Sequence, residues 1–115
     1  MKIPLHYHKA AINLNSIIYL IENPEGQKYI GLCSGNSRTR FKHYLKLDCK
    51  NQKLLYESFL KYGVEKHTVE ILEYNVPKDM LADREVYWIN HYDTFNDNGL
   101  NLTSGGDGSP RSKKI

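Results

Sequence analysis

The 115-residue chain predicts a small α/β fold of the segregated α+β kind, a three-stranded antiparallel β-sheet flanked by three helices. Three observations carry that expectation. Two runs rich in β-branched and aromatic residues, IIYLIE at 17–22 and KYIGLC at 28–33, are separated by the turn sequence NPEG. Apolar spacing changes to a helical period after Ser37, and after one more alternating run it does so again beyond Pro77.

The elements follow in order. Pro24 restricts one φ angle and Gly26 tolerates the reversal, so residues 17–33 form a hairpin in which Tyr19 and Tyr29 stand on adjacent strands. Ser37 or Thr39 caps a first helix with Phe41, Tyr44 and Leu45 on its apolar stripe. Asn51 opens a second, in which Leu54, Leu55, Ser58, Phe59 and Tyr62 share a face and Gly63 ends the run. TVEILEY, residues 68–74, alternates as a third strand, with Val69, Ile71 and Glu73 on one face against Glu70 and Leu72. Pro77 starts a third helix over 77–92. Its stripe of Leu81, Glu85, Trp88 and Tyr92 contains one carboxylate, a placement that is costly unless the group is hydrogen-bonded, paired or metal-bound. The glycine- and asparagine-rich remainder reads as coil. The expected organisation is an N-terminal extension over 1–16, one folded unit over 17–108, and the start of a linker or basic tail over 109–115.

Composition bounds the function. A chain of 13.4 kDa with 40% hydrophobic and 25% charged residues has room for one modest core and does not read as disordered. No apolar run approaches the roughly 20 residues of a membrane helix, and the first residues lack a signal-peptide core, so an intracellular protein is expected. Cys33 and Cys49 read as free thiols. The net charge of +3 is modest, but Arg38, Arg40, Lys42, His43, Lys46, Lys50 and Lys53 crowd one interval, compatible with a polyanionic partner. His6 and His8 lack a third metal ligand, His67 and His91 have no evident companions, and NLTSGGDG lacks the lysine and helix of a phosphate-binding loop.

The triplets I-I-Y (17–19) and Y-I-G (29–31) resemble the signature of the GIY-YIG nuclease superfamily, and the resemblance runs from about residue 17 to 108. Tyr19 and Tyr29 match the two signature tyrosines, Gly31 the final glycine, Arg40 the arginine of the first helix, and Tyr44 the histidine-or-tyrosine position after it. Glu85 matches the metal-binding glutamate and Asn101 the asparagine near the end of the module. Ile17 departs from the pattern, standing where the family has its first glycine. Taken singly, each has an ordinary reading: the tyrosines as strand packing, Arg40 as a solvated charge, Glu85 as half of an internal ion pair, Asn101 as a turn residue.

The resemblance implies a metal-dependent DNA endonuclease, nearest in pattern to the catalytic module of phage or mobile-intron homing endonucleases. Glu85 would hold Mg2+, with Mn2+ as a substitute, and Arg40 would grip the scissile phosphate. A tyrosine would serve as base or proton relay, Tyr19 first, with Tyr29 and Tyr44 sharing the work. Arg38, Arg40, Lys42, His43, Lys46, Lys50 and Lys53 would neutralise phosphates of double-stranded DNA. Target choice would come from a C-terminal DNA-binding domain outside this chain, and the module would act as a monomer or transient dimer, in the host cytoplasm if phage-encoded. The alternatives are a self-contained structure-selective or restriction nuclease and a noncatalytic DNA-binding protein that keeps the fold.

Overall fold

The computed structural model describes residues 2–7 and 13–103. Four strands, β1 (Lys2–Pro4), β2 (Asn15–Glu22), β3 (Lys28–Asn36) and β4 (Thr68–Glu73), form one antiparallel sheet in the order β1-β4-β2-β3. The helices are α1 (Ser37–Leu45), α2 (Lys53–Tyr62) and α3 (Leu81–Tyr92), with 3-10 turns at Leu5–Tyr7, Val64–Lys66 and Lys78–Met80. The antiparallel sheet flanked by helices is the fold class the sequence predicts.

The sheet gains a fourth strand from the expected N-terminal extension. β1 is three residues long and contains Pro4, too short for a period-two signal, and proline is tolerated there because the strand lies at an edge. Ile3 pairs opposite Val69, Leu5 donates its N–H to His67 O at 2.9 Å, and the Leu5 side chain is fully buried. His6 is exposed, while His8 and the SPRSKKI tail lie outside the described residues.

The sheet has an apolar layer on each face. Ile17, Tyr19, Ile21, Tyr29 and Val69 pack with Phe41 and Tyr44 of α1 and Leu55 and Phe59 of α2. Ile18, Leu20 and Ile30 pack with Leu81 and Ile89 of α3, joined by the partly buried Trp88 and Tyr92. This is why residues 17–21 are hydrophobic throughout, since a strand covered on both faces has no polar side.

Two boundaries and one strand face differ from the sequence expectation. Asn36 caps α1, its Oδ1 accepting from Arg38 N at 2.9 Å, because Ser37 is buried and occupied by Leu14: Ser37 N donates to Leu14 O and Ser37 Oγ accepts from Leu14 N. α3 begins at Leu81, since the chain after Pro77 first makes the 3-10 turn Lys78–Met80. Glu73 leaves the face of Val69 and Ile71 at a bulge in the β2–β4 pairing. Gly63 ends α2 as expected, at φ +90° with its N–H on Phe59 O.

His67 is fully buried in a polar chain the sequence did not announce. Its Nδ1 lies 2.9 Å from Gly63 O, an acceptor only, so Nδ1 carries the proton and Nε2 accepts from Ser58 Oγ at 2.8 Å. Ser58 Oγ in turn accepts from Asn23 Nδ2 at 3.0 Å, and Asn23 Oδ1 closes the hairpin turn by accepting from Glu25 N and Gln27 N.

Candidate active site

The hairpin register sets Tyr19 directly opposite Gly31. A Cβ on Gly31 would lie 2.5 Å from Tyr19 Oη, so the absent side chain is what lets the phenol lie across the neighbouring strand. Phe41 meets the Tyr19 ring edge-on at 5.2 Å, and Tyr29 lies 6.3 Å away between centroids. α1 places Arg40 and Tyr44 four residues apart, one helical turn, above these strands. Tyr19 Oη and Tyr44 Oη share a 2.5 Å hydrogen bond, while Arg40 Nη1 donates to Tyr19 Oη at 3.4 Å and to Leu32 O at 3.2 Å.

Burial pushes the Tyr19, Tyr29 and Tyr44 phenols above their ordinary pKa, and the Arg40 charge pulls each partly back. All three are therefore neutral at neutral pH. For Arg40 itself burial opposes the charge, but the Tyr19 and Tyr44 phenols outweigh it and the guanidinium stays protonated.

Beside this cluster are two surface depressions. Arg40, His43, Tyr44 and Lys50 line one of about 390 Å3. Tyr29, Glu85 and Asn101 line a smaller one of about 150 Å3. Asn51 and Gln52, just ahead of α2, border both, so the two depressions adjoin. Asn101 is buried with both ends of its amide committed, Oδ1 accepting from Ile30 N and Nδ2 donating to Ile30 O, each at 2.8 Å. It latches the segment after α3 onto the middle of the Y-I-G triplet.

A profile of the GIY-YIG catalytic domain matches residues 15–101. The chain belongs to the GIY-YIG family. Two solved structures resemble this GIY-YIG domain, both of the catalytic domain of the homing endonuclease I-TevI. One, a mutant form, has a TM-score of 0.66 and 28% identity, covering 81% of this chain and 98% of that one. The other has a TM-score of 0.64 and 30% identity, covering 77% and 99%. No curated protein sequence matches the chain.

Within the GIY-YIG frame, Ile17 at the first-glycine position is fully buried and paired opposite Cys33, so this sheet needs no glycine there. The sequence-predicted residues separate into groups. Tyr19, Tyr44 and Arg40 are in contact, His43 and Lys50 are exposed at the depression that Arg40 and Tyr44 line, and Tyr29 and Glu85 lie at the adjoining one. Arg38, Lys42, Lys46 and Lys53 are exposed but line neither depression. At about 100° per residue, Arg38, Lys42 and Lys46 fall on the flank of α1 opposite Arg40. The sequence marks Asn51 only as a helix start and Gln52 not at all, because only the fold brings the residues ahead of α2 beside Glu85.

Among the described residues no group of three or more His, Cys, Asp or Glu side chains could hold a metal ion. Mg2+ binds through one or two carboxylates and keeps several waters that substrate phosphates replace, so it does not require such a group. Glu85 is half-buried and is the one carboxylate lining the smaller depression. Cys33 and Cys49 are buried free thiols, and burial with the nearby Asp48 charge pushes Cys49 up to about 11, away from reactive thiolate chemistry. No helix among the described residues is long and apolar enough to cross a membrane.

Proposed function

We propose that this GIY-YIG domain is a Mg2+-dependent DNA endonuclease and, within residues 17–108, the catalytic module of an intracellular homing endonuclease. The observation that carries the reading is the adjacency of the Tyr19–Tyr44–Arg40 cluster and the depression lined by Tyr29 and Glu85. A charge clamp, a proton path and a metal-binding carboxylate are the parts that phosphodiester hydrolysis needs.

Arg40 receives the scissile phosphate, its planar fork offering two donors to neighbouring oxygens. Glu85 holds Mg2+, which when bound supplies positive charge to the phosphate and the leaving oxygen. Tyr19 relays the proton of the attacking water: its Oη accepts that proton as its own passes to Tyr44 Oη along their short hydrogen bond, and Arg40, 3.4 Å from Tyr19 Oη, holds the phenol in place. Tyr44 passes its own proton to solvent in the depression it lines, so both phenols stay neutral while the bond from the water oxygen to phosphorus forms and the bond to the leaving oxygen, which takes a proton from solvent, breaks. Tyr29 orients the water from the Glu85 side. Asn101 holds the Y-I-G backbone in place.

A single carboxylate and one clamp act on one strand at a time, so double-strand cleavage proceeds by rebinding or through a transient dimer. His43 and Lys50 hold phosphates beside the scissile one, and Arg38, Lys42, Lys46 and Lys53 add attraction to double-stranded DNA without reading its bases. Likeness to the catalytic domain of I-TevI supports the homing assignment.

The test is cleavage of nicked, branched and long duplex DNA by wild type and Glu85→Ala, with Mg2+ and with a chelator. Wild type is expected to cut only with metal, and the folded variant not to cut. Equal cutting by both proteins would remove Glu85 from the mechanism.

A further inference from the structure

α3 carries Glu85, but what fixes its rotation on the sheet is attached to a different flank of the helix. Its apolar contacts, Leu81 and Ile89 with the partly buried Trp88 and Tyr92, are non-directional and tolerate a small roll. Direction comes from Glu73 at the end of β4. There the β2–β4 register passes from Tyr19↔Ile71 to Ile18↔Glu73, two residues on β4 against one on β2. This bulge turns the carboxylate toward α3, the kind of re-aiming that bulges next to functional sites perform.

One oxygen of Glu73 then accepts two hydrogen bonds and closes an ion pair. Arg84 Nε and Nη2 approach Oε2 at 2.8 and 2.7 Å, and Trp88 Nε1 at 2.7 Å. Arg84 and Trp88 are one turn apart and bracket Glu85 in sequence. Donors from two successive turns converging on one atom determine both the height and the rotation of the helix, which a single bond does not. The carboxylate stays ionised, because the Arg84 hydrogen bond outweighs its burial and Trp88 adds to it. A side-chain tip lies about 5–6 Å from the helix axis, so a roll of about 10° displaces it by about 1 Å. Misplacement on that scale costs up to about 100-fold in rate.

We propose that Glu73 is a positioning residue of the nuclease site: by clamping Arg84 and Trp88 it sets the rotation of α3 that directs Glu85 into the depression beside Tyr29. The proposal rests on the nuclease reading for the role of Glu85, and it adds a residue that touches neither substrate nor metal.

The experiment compares wild type, Glu85→Ala, Glu73→Ala and Glu73→Gln. It reads Mn2+ binding to the free protein by electron paramagnetic resonance, kcat and KM on duplex DNA with saturating Mg2+, and the melting temperature. Glu73→Ala is expected to weaken Mn2+ binding and lower kcat by about tenfold or more, with KM for DNA within about twofold. Glu73→Gln, whose amide oxygen still accepts from Arg84 and Trp88, recovers part of both. A Glu73→Ala protein that melts earlier yet binds Mn2+ and turns over like wild type would overturn the assignment and leave Glu73 a stabilising residue only. If Glu73→Ala does not fold, Trp88→Phe removes one donor while keeping the packing. It should move Mn2+ affinity and kcat in the same direction by less, and no movement overturns the proposal. A wild type that neither binds Mn2+ nor cuts DNA overturns the nuclease reading and with it the role assigned to Glu73, whereas wild type and Glu85→Ala behaving as expected with Glu73→Ala unchanged overturns Glu73 alone.

Discussion

Gly31 and Tyr19 form the tightest pair in the site. The phenol occupies the space where any other residue at position 31 would place its Cβ, and Phe41 blocks its retreat from the other side. Tyr19 is fully buried, so the ring has nowhere to go without moving β2 or α1. Gly31→Ala is therefore expected to destabilise the fold by roughly 1–3 kcal/mol, the usual cost of overpacking a filled core. It should also lower DNA cleavage beyond what the loss of folded protein explains, because Tyr19 Oη is pushed off Tyr44 and Arg40. Urea denaturation and kcat measured well below the transition separate the two effects; wild-type values of both would refute the steric account. Asn101 acts on the same triplet from outside, its amide satisfying both backbone groups of Ile30.

At the scale of elements, the hairpin turn, α2 and the start of β4 are joined through Asn23, Ser58 and His67. Burial lowers the His67 pKa below its ordinary 6.5. The unfolded chain therefore binds a proton at a higher pH than the folded one does. Below about pH 6.5 protons favour the unfolded state, and stability falls with decreasing pH until the folded-state imidazole also titrates. The slope in that window approaches at most about 1.4 kcal/mol per pH unit for this one group. Urea midpoints measured between pH 7.5 and about 5 are expected to fall for wild type and to flatten in His67→Gln, whose side chain does not titrate. A flat wild-type profile would show that the network accepts the extra proton without cost.

Over the whole molecule, charge is divided between two flanks of α1. Arg40 faces the tyrosine cluster, whereas Arg38, Lys42 and Lys46 share the opposite side. In the proposed nuclease the second group contributes attraction to the DNA backbone without touching the reacting phosphate. Replacing all three by alanine is expected to weaken DNA binding and to reduce the salt dependence of log K by up to about 0.9 for each phosphate no longer neutralised, with kcat at saturating DNA unchanged. Filter binding from 50 to 200 mM salt reads the slope. An unchanged slope would remove this flank from the DNA path, and a collapse of kcat would place it in the reaction instead.

The hairpin, the helical stripes of α1 and α2, the third strand and the terminating Gly63 were legible in the chain because each is a local pattern, set by spacing or by the conformational range of one residue. The ordered set Tyr19, Tyr29, Arg40, Tyr44 and Glu85 was legible too, since a motif survives as sequence order even when its members are far apart. What the sequence left open are events between distant segments. β1 is too short to have a period and exists because β4 offers an unpaired edge. Asn36 takes the α1 cap because Leu14 occupies Ser37. Glu73 changes face because β2 and β4 advance unequally at their end. Local propensity determined which elements form and where they turn, whereas the register between strands and the clamps between layers depend on partners tens of residues away, and only the tertiary structure decided how Tyr19 meets Arg40 and which way Glu85 points.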